Sequence, residues 1–282
     1  MLTSKEIRPP VPRSESLNTP VRHILSISGG KDSAALAVYM RDRVAEMEYV
    51  FCDTEKELPE TYEYLGRLEA YLGKPIVRLM HDGRGFDHYL DLYRGYLPSA
   101  RMRWCTRHLK LEPFERYVND DPVISYVGIR ADEDREGFLS TKPNIQTRFP
   151  FKEDGLILAD VQRILDEAGL GLPAYYGWRT RSGCYFCFFQ QKNEWVGLLE
   201  NHPDLFNLAK AYEKTGSGTA EHFTWNDGES LEELSTAGRV AAIKRESAER
   251  MARTCQANAQ LKDLLTDSST DDDRESCLIC HL

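Results

Sequence analysis

The sequence predicts an α/β fold, a doubly wound parallel sheet with a helical C-terminal extension. Three observations carry this expectation. Short apolar runs alternate with longer amphipathic runs between Arg22 and Gly128, the pattern of parallel strands covered by helices on both faces. The first run ends in Ser28-Gly29-Gly30-Lys31-Asp32-Ser33, a composition suited to a strand-to-helix junction that receives an anion. Beyond Leu231 the chain is rich in Ala, Glu, Lys and Arg, residues that favour helix.

Taken in order, His23–Ser28 alternates apolar positions and reads as a buried strand, broken by Gly29-Gly30. Asp32–Arg43 follows as a helix with small and apolar residues on one side. Glu48–Cys52 is the second strand, Leu58–Leu72 the second helix, Pro75–Leu79 the third strand and Val123–Gly128 the fourth. Asp160–Ala168 is a short amphipathic helix stopped by Gly169, and Gln191–Leu199 and Pro203–Lys214 are two more. Leu231–Leu265 reads as one or two helices. The resulting organisation is an arm at 1–20, interrupted by Pro9, Pro10, Pro12 and Pro20; a strand–helix domain at 21–150; a cysteine-bearing region at 151–214; a helical extension at 215–266, entered through the flexible Thr215–Gly218; and an acidic, disordered tail at 267–282 that ends in Cys277-Leu278-Ile279-Cys280.

Composition narrows the class. With 282 residues, 41% hydrophobic and 29% charged, the chain is neither wholly disordered nor fibrous. No apolar run is long enough for a membrane helix, and the polar start does not read as a signal peptide. A cytoplasmic location without membrane partners is expected. The net charge of −9 excludes a surface built to coat nucleic acid, though not a local basic groove. Seven cysteines, an odd number in a reducing compartment, point to metal or thiol chemistry rather than disulfides.

Ligands of doubly wound sheets bind beyond the carboxyl ends of the strands, so the candidate loops are Ser28–Ser33, Asp53–Glu57 and Gly128–Arg135. In the first, Gly29 and Gly30 permit close backbone approach to an anion. The following helix offers unpaired N–H groups, Lys31 a full charge, and Ser28 and Ser33 hydroxyls. Asp32 can organise the loop or help to hold magnesium. The spacing differs from that of a Walker loop. Cys105 lies among Arg101, Arg103, Arg107, His108 and Lys110, a setting that favours thiolate and suits a sulfur acceptor or a metal ligand. Cys184 and Cys187 can grip one metal. Three arrangements are weighed: a zinc site shared with Cys277 and Cys280, an iron–sulfur cluster held by Cys105, Cys184 and Cys187, or a redox pair; metal binding at Cys184 and Cys187, with Cys105 as the third candidate ligand, is put first. Tyr175, Tyr176, Trp178, Tyr185, Phe186, Phe188 and Phe189 crowd this loop, with core packing weighted above stacking on a base, and Arg179 and Arg181 form a small basic patch. Cys52 reads as a buried strand thiol, and Cys255 has no assigned role.

These motifs resemble, in order, those of a known superfamily. Ser28–Ser33 resembles the PP-loop of the adenine nucleotide α-hydrolases, which comprise ATP pyrophosphatases and the phosphoadenylylsulfate (PAPS) reductases. Asp53-Thr54-Glu55 with Glu57-Leu58-Pro59-Glu60-Thr61-Tyr62 resembles a segment of the reductase branch. Arg103-Trp104-Cys105-Thr106 with Leu109-Lys110, Gly128-Ile129-Arg130 with Glu133 and Arg135, and Gly183-Cys184-Tyr185-Phe186-Cys187 are similar to further family elements. The resemblance implies ATP and magnesium as ligands. It places Ser28, Gly29, Gly30, Lys31, Asp32 and Ser33 on the phosphates, Phe51 and Asp53 near adenosine, and Gly128 and Arg130 on the phosphates from strand four. Lys31, Asp32, Cys105 and Arg130 become the catalytic candidates. The combination most resembles the ATP pyrophosphatases of DNA phosphorothioate modification. That implies a cysteine desulfurase as sulfur donor and a nucleic-acid acceptor, DNA ahead of tRNA, presented by a partner protein. Other readings within the resemblance are a PAPS or adenylylsulfate reductase using Cys277 or Cys280, a tRNA thiolase, or a nucleotide-binding interaction subunit without catalysis.

Overall fold

The computed structural model describes residues 20–81, 83–135, 142–214 and 223–261. The proline-bearing arm before Pro20, the link Thr215–Gly218 and the tail with Cys277 and Cys280 lie outside the described residues.

Five strands form one parallel sheet in the order β3-β2-β1-β4-β5. They are β1 (Arg22–Ser26), β2 (Met47–Cys52), β3 (Ile76–Leu79), β4 (Val123–Tyr126) and β5 (Ile145–Arg148). Helix α1 (Lys31–Met40) follows β1 and α2 (Pro59–Leu72) follows β2. Helix α3 (Phe86–Leu92) follows β3. Helix α4 (Trp104–Thr106) passes through a π-helical turn at Arg107–Leu111 into α5 (Glu112–Val118). The wide turn precedes Pro113, which has no N–H to continue the ordinary ladder; the Glu112 N–H reaches back to Arg107 O.

Alternate residues of each strand serve opposite faces. Leu25, Tyr49, Phe51 and Tyr126 pack under α1 and α2, whereas Ile24, Val50, Cys52 and Val123 pack under Phe114 and Val118 of α5. Phe51 therefore contributes its ring to the core, meeting Tyr62 edge-on at 6.4 Å between centroids. Helix α6 (Pro150–Glu153) and α7 (Leu158–Glu167) continue on the α1 face, where Phe151, Val161, Ile164 and Leu165 join the same core. Sheet packing thus runs past residue 150.

A second core is built from aromatics. Phe86, Trp104, Tyr175, Phe186, Trp195, Phe206 and Trp225 gather between α3, α4, α8 (Lys192–Asn201), α9 (Pro203–Ala211), α10 (Leu231–Leu234) and α11 (Ala237–Leu261). The expected Leu231–Leu265 helix is two, parted at Ser235-Thr236. Ser230 and Glu233 cap each other's N–H groups at the start of α10. Among the described residues no helix is long and apolar enough to cross a membrane.

Leu165 of α7 is fully buried against the sheet. Leu165→Ala is expected to lower the unfolding free energy by about 2–5 kcal/mol, read as a lower urea midpoint with an unchanged slope.

Candidate functional site

The chain runs outward from β1 to β3, then returns to β4 and β5 on the other side. The order reverses between β1 and β4, and the crevice beyond their carboxyl ends is where such sheets bind ligands. Two of the three loops that the sequence singles out, Ser28–Ser33 after β1 and Gly128–Arg135 after β4, lie there.

The Ser28–Ser33 loop is folded on itself. The Ser28 N–H donates to Ser33 Oγ at 3.0 Å, the two hydroxyl oxygens are 3.0 Å apart, and Ser33 Oγ donates to Gly30 O at 3.2 Å. Gly29 takes φ +76°, and a Cβ there would stand 2.5 Å from Thr61 Cγ2. A Cβ on Gly30 would meet Ser182 Oγ at 2.7 Å. These positions leave no room for a side chain, so main chain alone faces the crevice. Tyr175 donates to Gly29 O at 2.8 Å, and the Lys31 N–H donates to the Tyr176 hydroxyl at 3.1 Å. That hydroxyl takes the N–H a phosphate oxygen would otherwise take. Tyr175, Tyr176 and Ser182 went unrecognised as loop supports in the sequence. The Pro173–Gly177 run, which forms a 3-10 turn at Ala174–Gly177, is the signal that could have found the two tyrosines.

Gly128 brings β4's loop against α1. Its Cβ would lie 2.9 Å from the Asp32 backbone oxygen. Across this contact Arg130 Nη1 binds Asp32 Oδ1 at 2.8 Å and Glu133 Oε1 at 2.7 Å, and Nε binds Asp132 Oδ1 at 2.9 Å. Arg135 pairs with the far side of Glu133, and Lys31 Nζ is 3.2 Å from Asp32 Oδ2. Burial pulls the Lys31 and Arg130 pKa values down, but the neighbouring carboxylates, Asp32 first, carry both above their ordinary values. Both stay cationic. Asp32 is engaged by two cations and organises the loop. Arg130, expected to reach phosphates directly, has Nη1 and Nε committed to carboxylates and braces β4's loop to α1. Asp53, at the end of β2, accepts from the Glu55 N–H at 2.9 Å and from Tyr62 at 2.8 Å.

The cysteine loop docks next door. The Tyr185 N–H donates to Lys56 O at 2.8 Å, and Ser182 Oγ donates to Ser28 Oγ at 3.2 Å. Arg179 is not part of a basic patch. It is 2% exposed, and its guanidinium holds Gly183 O at 3.1 Å and Cys184 O at 2.9 Å. Cys105, Cys184 and Cys187 line one small cavity of about 40 Å³ with Thr106, Lys110, Phe188 and Phe189, room for about one water-sized group. The thiols are reduced. The structure brings the three expected ligands to one cavity but does not join them as ligands: among the described residues no group of three His, Cys, Asp or Glu side chains can hold a metal ion. Cys184 Sγ lies 3.2 Å from Thr54 Oγ1 and 3.8 Å from Glu57 Oε1. Burial first, then Glu57, pushes the free Cys184 thiol well above its ordinary pKa. Burial likewise raises Glu57, against the pull of Lys110 and Thr54, and its Oε2 has no hydrogen-bond partner among the described residues. The Cys52 thiol is pushed up to about 12 by burial.

Residues 22–154 match the family model of the phosphoadenosine phosphosulfate reductase domain. An uncharacterized protein of Methanocaldococcus jannaschii is 32% identical over 234 residues, covering 74% of this chain and 47% of that protein. The tRNA-specific 2-thiouridylase of Pediococcus pentosaceus is 24% identical over 209 residues, covering 62% of this chain and 54% of that enzyme. The chain spans about half the length of the curated relatives it matches, 47% and 45% for the two from M. jannaschii. A crystal structure of PAPS reductase from Candida auris superposes with a TM-score of 0.46 at 15% identity, covering 59% of this chain and 82% of that one. The segment that holds the β1–α1 loop is thus the part of the chain that is similar to the PAPS reductase domain.

Two outcomes follow from the geometry. Gly128→Ala forces a Cβ against backbone and is expected to destabilise the protein by about 1–3 kcal/mol, read by thermal unfolding. In alkylation at pH 7.5 followed by mass spectrometry, Cys184 and Cys52 are expected to react at least about tenfold slower than free cysteine, with rates that rise as pH is raised.

Proposed function

We propose that the protein is an ATP pyrophosphatase of the sulfurtransferase type, which adenylylates a nucleic-acid acceptor and allows sulfur to enter. DNA, in backbone phosphorothioation, is the acceptor put first. The observation that supports it is the contiguity of two sites: Ser182 touches Ser28 of the β1–α1 loop, and Gly183, Cys184 and Cys187 line the thiol cavity immediately after it. A site that activates oxygen and a site that handles sulfur share one wall.

The loop N–H groups, Lys31 and the N-terminus of α1 suit the triphosphate of ATP. Magnesium would neutralise further phosphate charge. An acceptor oxygen attacks the α-phosphorus and pyrophosphate leaves. The oxygen, a poor leaving group alone, then departs as part of AMP when the outer sulfur of a persulfide displaces it. A thiol attacks the inner sulfur and leaves as a disulfide with it, freeing the sulfurated acceptor. Cys105, half-buried at the cavity among Arg103, Arg107 and Lys110, is the thiol proposed to receive the persulfide sulfur from a cysteine desulfurase. Cys187, on the same cavity, is at hand as the second thiol. A tRNA acceptor is the second reading, favoured by the likeness to a tRNA thiouridylase. A PAPS reductase would draw on Cys277 or Cys280.

Calorimetric competition between ATP with magnesium and PAPS on the reduced protein tests the class. Preference for ATP, with pyrophosphate released only when oligonucleotide is present, supports the proposal. Preference for PAPS overturns it. Cys105→Ser is expected to abolish transfer of labelled sulfur while ATP affinity stays within about twofold; retained transfer removes Cys105 from the role.

A further inference from the structure

We propose that Arg103 and Arg181, both held on the ring of Phe189 at the mouth of the cysteine cavity, form a clamp for the phosphodiester backbone of a single-stranded nucleic-acid acceptor. The inference deepens the proposed function and rests on it for the acceptor class.

Position is the first argument. Phe189 lines the cavity that Cys105, Cys184 and Cys187 share. Arg181 directly precedes Ser182, whose hydroxyl reaches Ser28. A backbone seated on the clamp therefore lies between the oxygen-activating loop and the thiols.

The second argument is charge. This is an acidic protein, −9 overall, and its surface arginines are mostly tied to carboxylates, as in Arg43–Asp154, Arg148–Glu153, Arg163–Asp160 and Arg239–Glu229. Arg103 and Arg181 instead lie 5.1 and 5.5 Å from the Phe189 ring centroid. An aromatic ring fixes a guanidinium without neutralising it. Two like charges brought to one ring repel each other unless an anion joins them, and a guanidinium fork matches phosphate oxygens.

The third is an unmet hydrogen bond. Arg181 Nη1 is buried and has no partner among the described residues, whereas Arg103 spends Nε on Ala100 O at 3.1 Å. A buried donor left without an acceptor is costly, more so when charged. An incoming phosphate oxygen supplies the acceptor.

The aromatic content selects the class of anion. Phe188 and Phe189 are half-exposed, with ring centroids 4.3 Å apart. Cations interleaved with rings suit phosphates interleaved with unpaired bases, whereas a duplex hides its base faces and an acidic peptide offers none to stack.

Fluorescence anisotropy with a labelled single-stranded oligodeoxynucleotide, on the full chain over a salt series, tests the clamp. Arg103→Gln and Arg181→Gln are each expected to weaken binding roughly tenfold or more and to lower the slope of log K against log salt by about 0.7. Arg103→Lys restores the slope, because the charge returns. Phe189→Leu weakens binding, and circular dichroism melts confirm that each variant is folded. If the wild type binds oligonucleotide and both glutamine variants keep its affinity and slope, the clamp is overturned while the proposed function stands. If the wild type binds no oligonucleotide, both fall. Two further results overturn the clamp: an equal loss of ATP affinity in the same variants, which assigns the arginines to the nucleotide loop, and competition by polyglutamate as effective as that by unlabelled oligonucleotide.

Discussion

The buried ion pair between Asp32 and Arg130 fixes where the two wings of the sheet meet. Taking either charge out of water alone costs several kcal/mol, so each is tolerated only with the other in place. Asp32 sits in the first turn of α1, and Arg130 follows β4. Their pairing holds β4's loop against α1, and Gly128 is the residue whose lack of a side chain lets the backbones come that close. Glu133, Arg135 and Lys31 extend the pair into a chain of alternating charge. Such a network adds little net stability. Its effect is positional: the β1–α1 loop is held in place before any ligand arrives, so binding need not order it.

Legibility in the sequence follows how local each cause is. The first four strands, α1 and α2 are each announced by their own apolar pattern and lie within a few residues of where it puts them. Strand β5 was missed because Ile145-Gln146-Thr147-Arg148 has one buried residue and lies at the sheet's edge; only pairing with β4 makes it a strand. Helix α3 was missed for a related reason, since Phe86 and Tyr89 find their partners far away in the second core. The β1–α1 loop could be read because glycine, lysine and serine state their chemistry directly. The sequence could not say that Phe51 turns its ring into the core, or that Arg179 is buried under the cysteine loop. It also could not say that burial, with Glu57 beside it, raises the Cys184 thiol, because the spacing of a CxxC says nothing of its surroundings.

The two cores meet through main chain as much as through side chains. The cysteine loop grows from the aromatic core through Phe186 and Tyr185, yet it is tied to the sheet by the Tyr185 N–H on Lys56 O and by Ser182 on Ser28. The first of these ties is backbone to backbone and does not depend on which side chains are present. Residues around the thiol cavity can therefore differ while the loop keeps its place over the end of β2, which fits a domain type that serves more than one chemistry.

The sheet is open, and its two outermost strands, β3 and β5, are each four residues long. An unpaired strand edge invites another chain to add to it. Here both rims are brief, and each carries an arginine, Arg78 or Arg148. A sheet of this kind offers an approaching strand little length to pair with and a charge to desolvate. The same shortness that hid β5 from its own sequence pattern guards the molecule against growing, copy by copy, into fibrils.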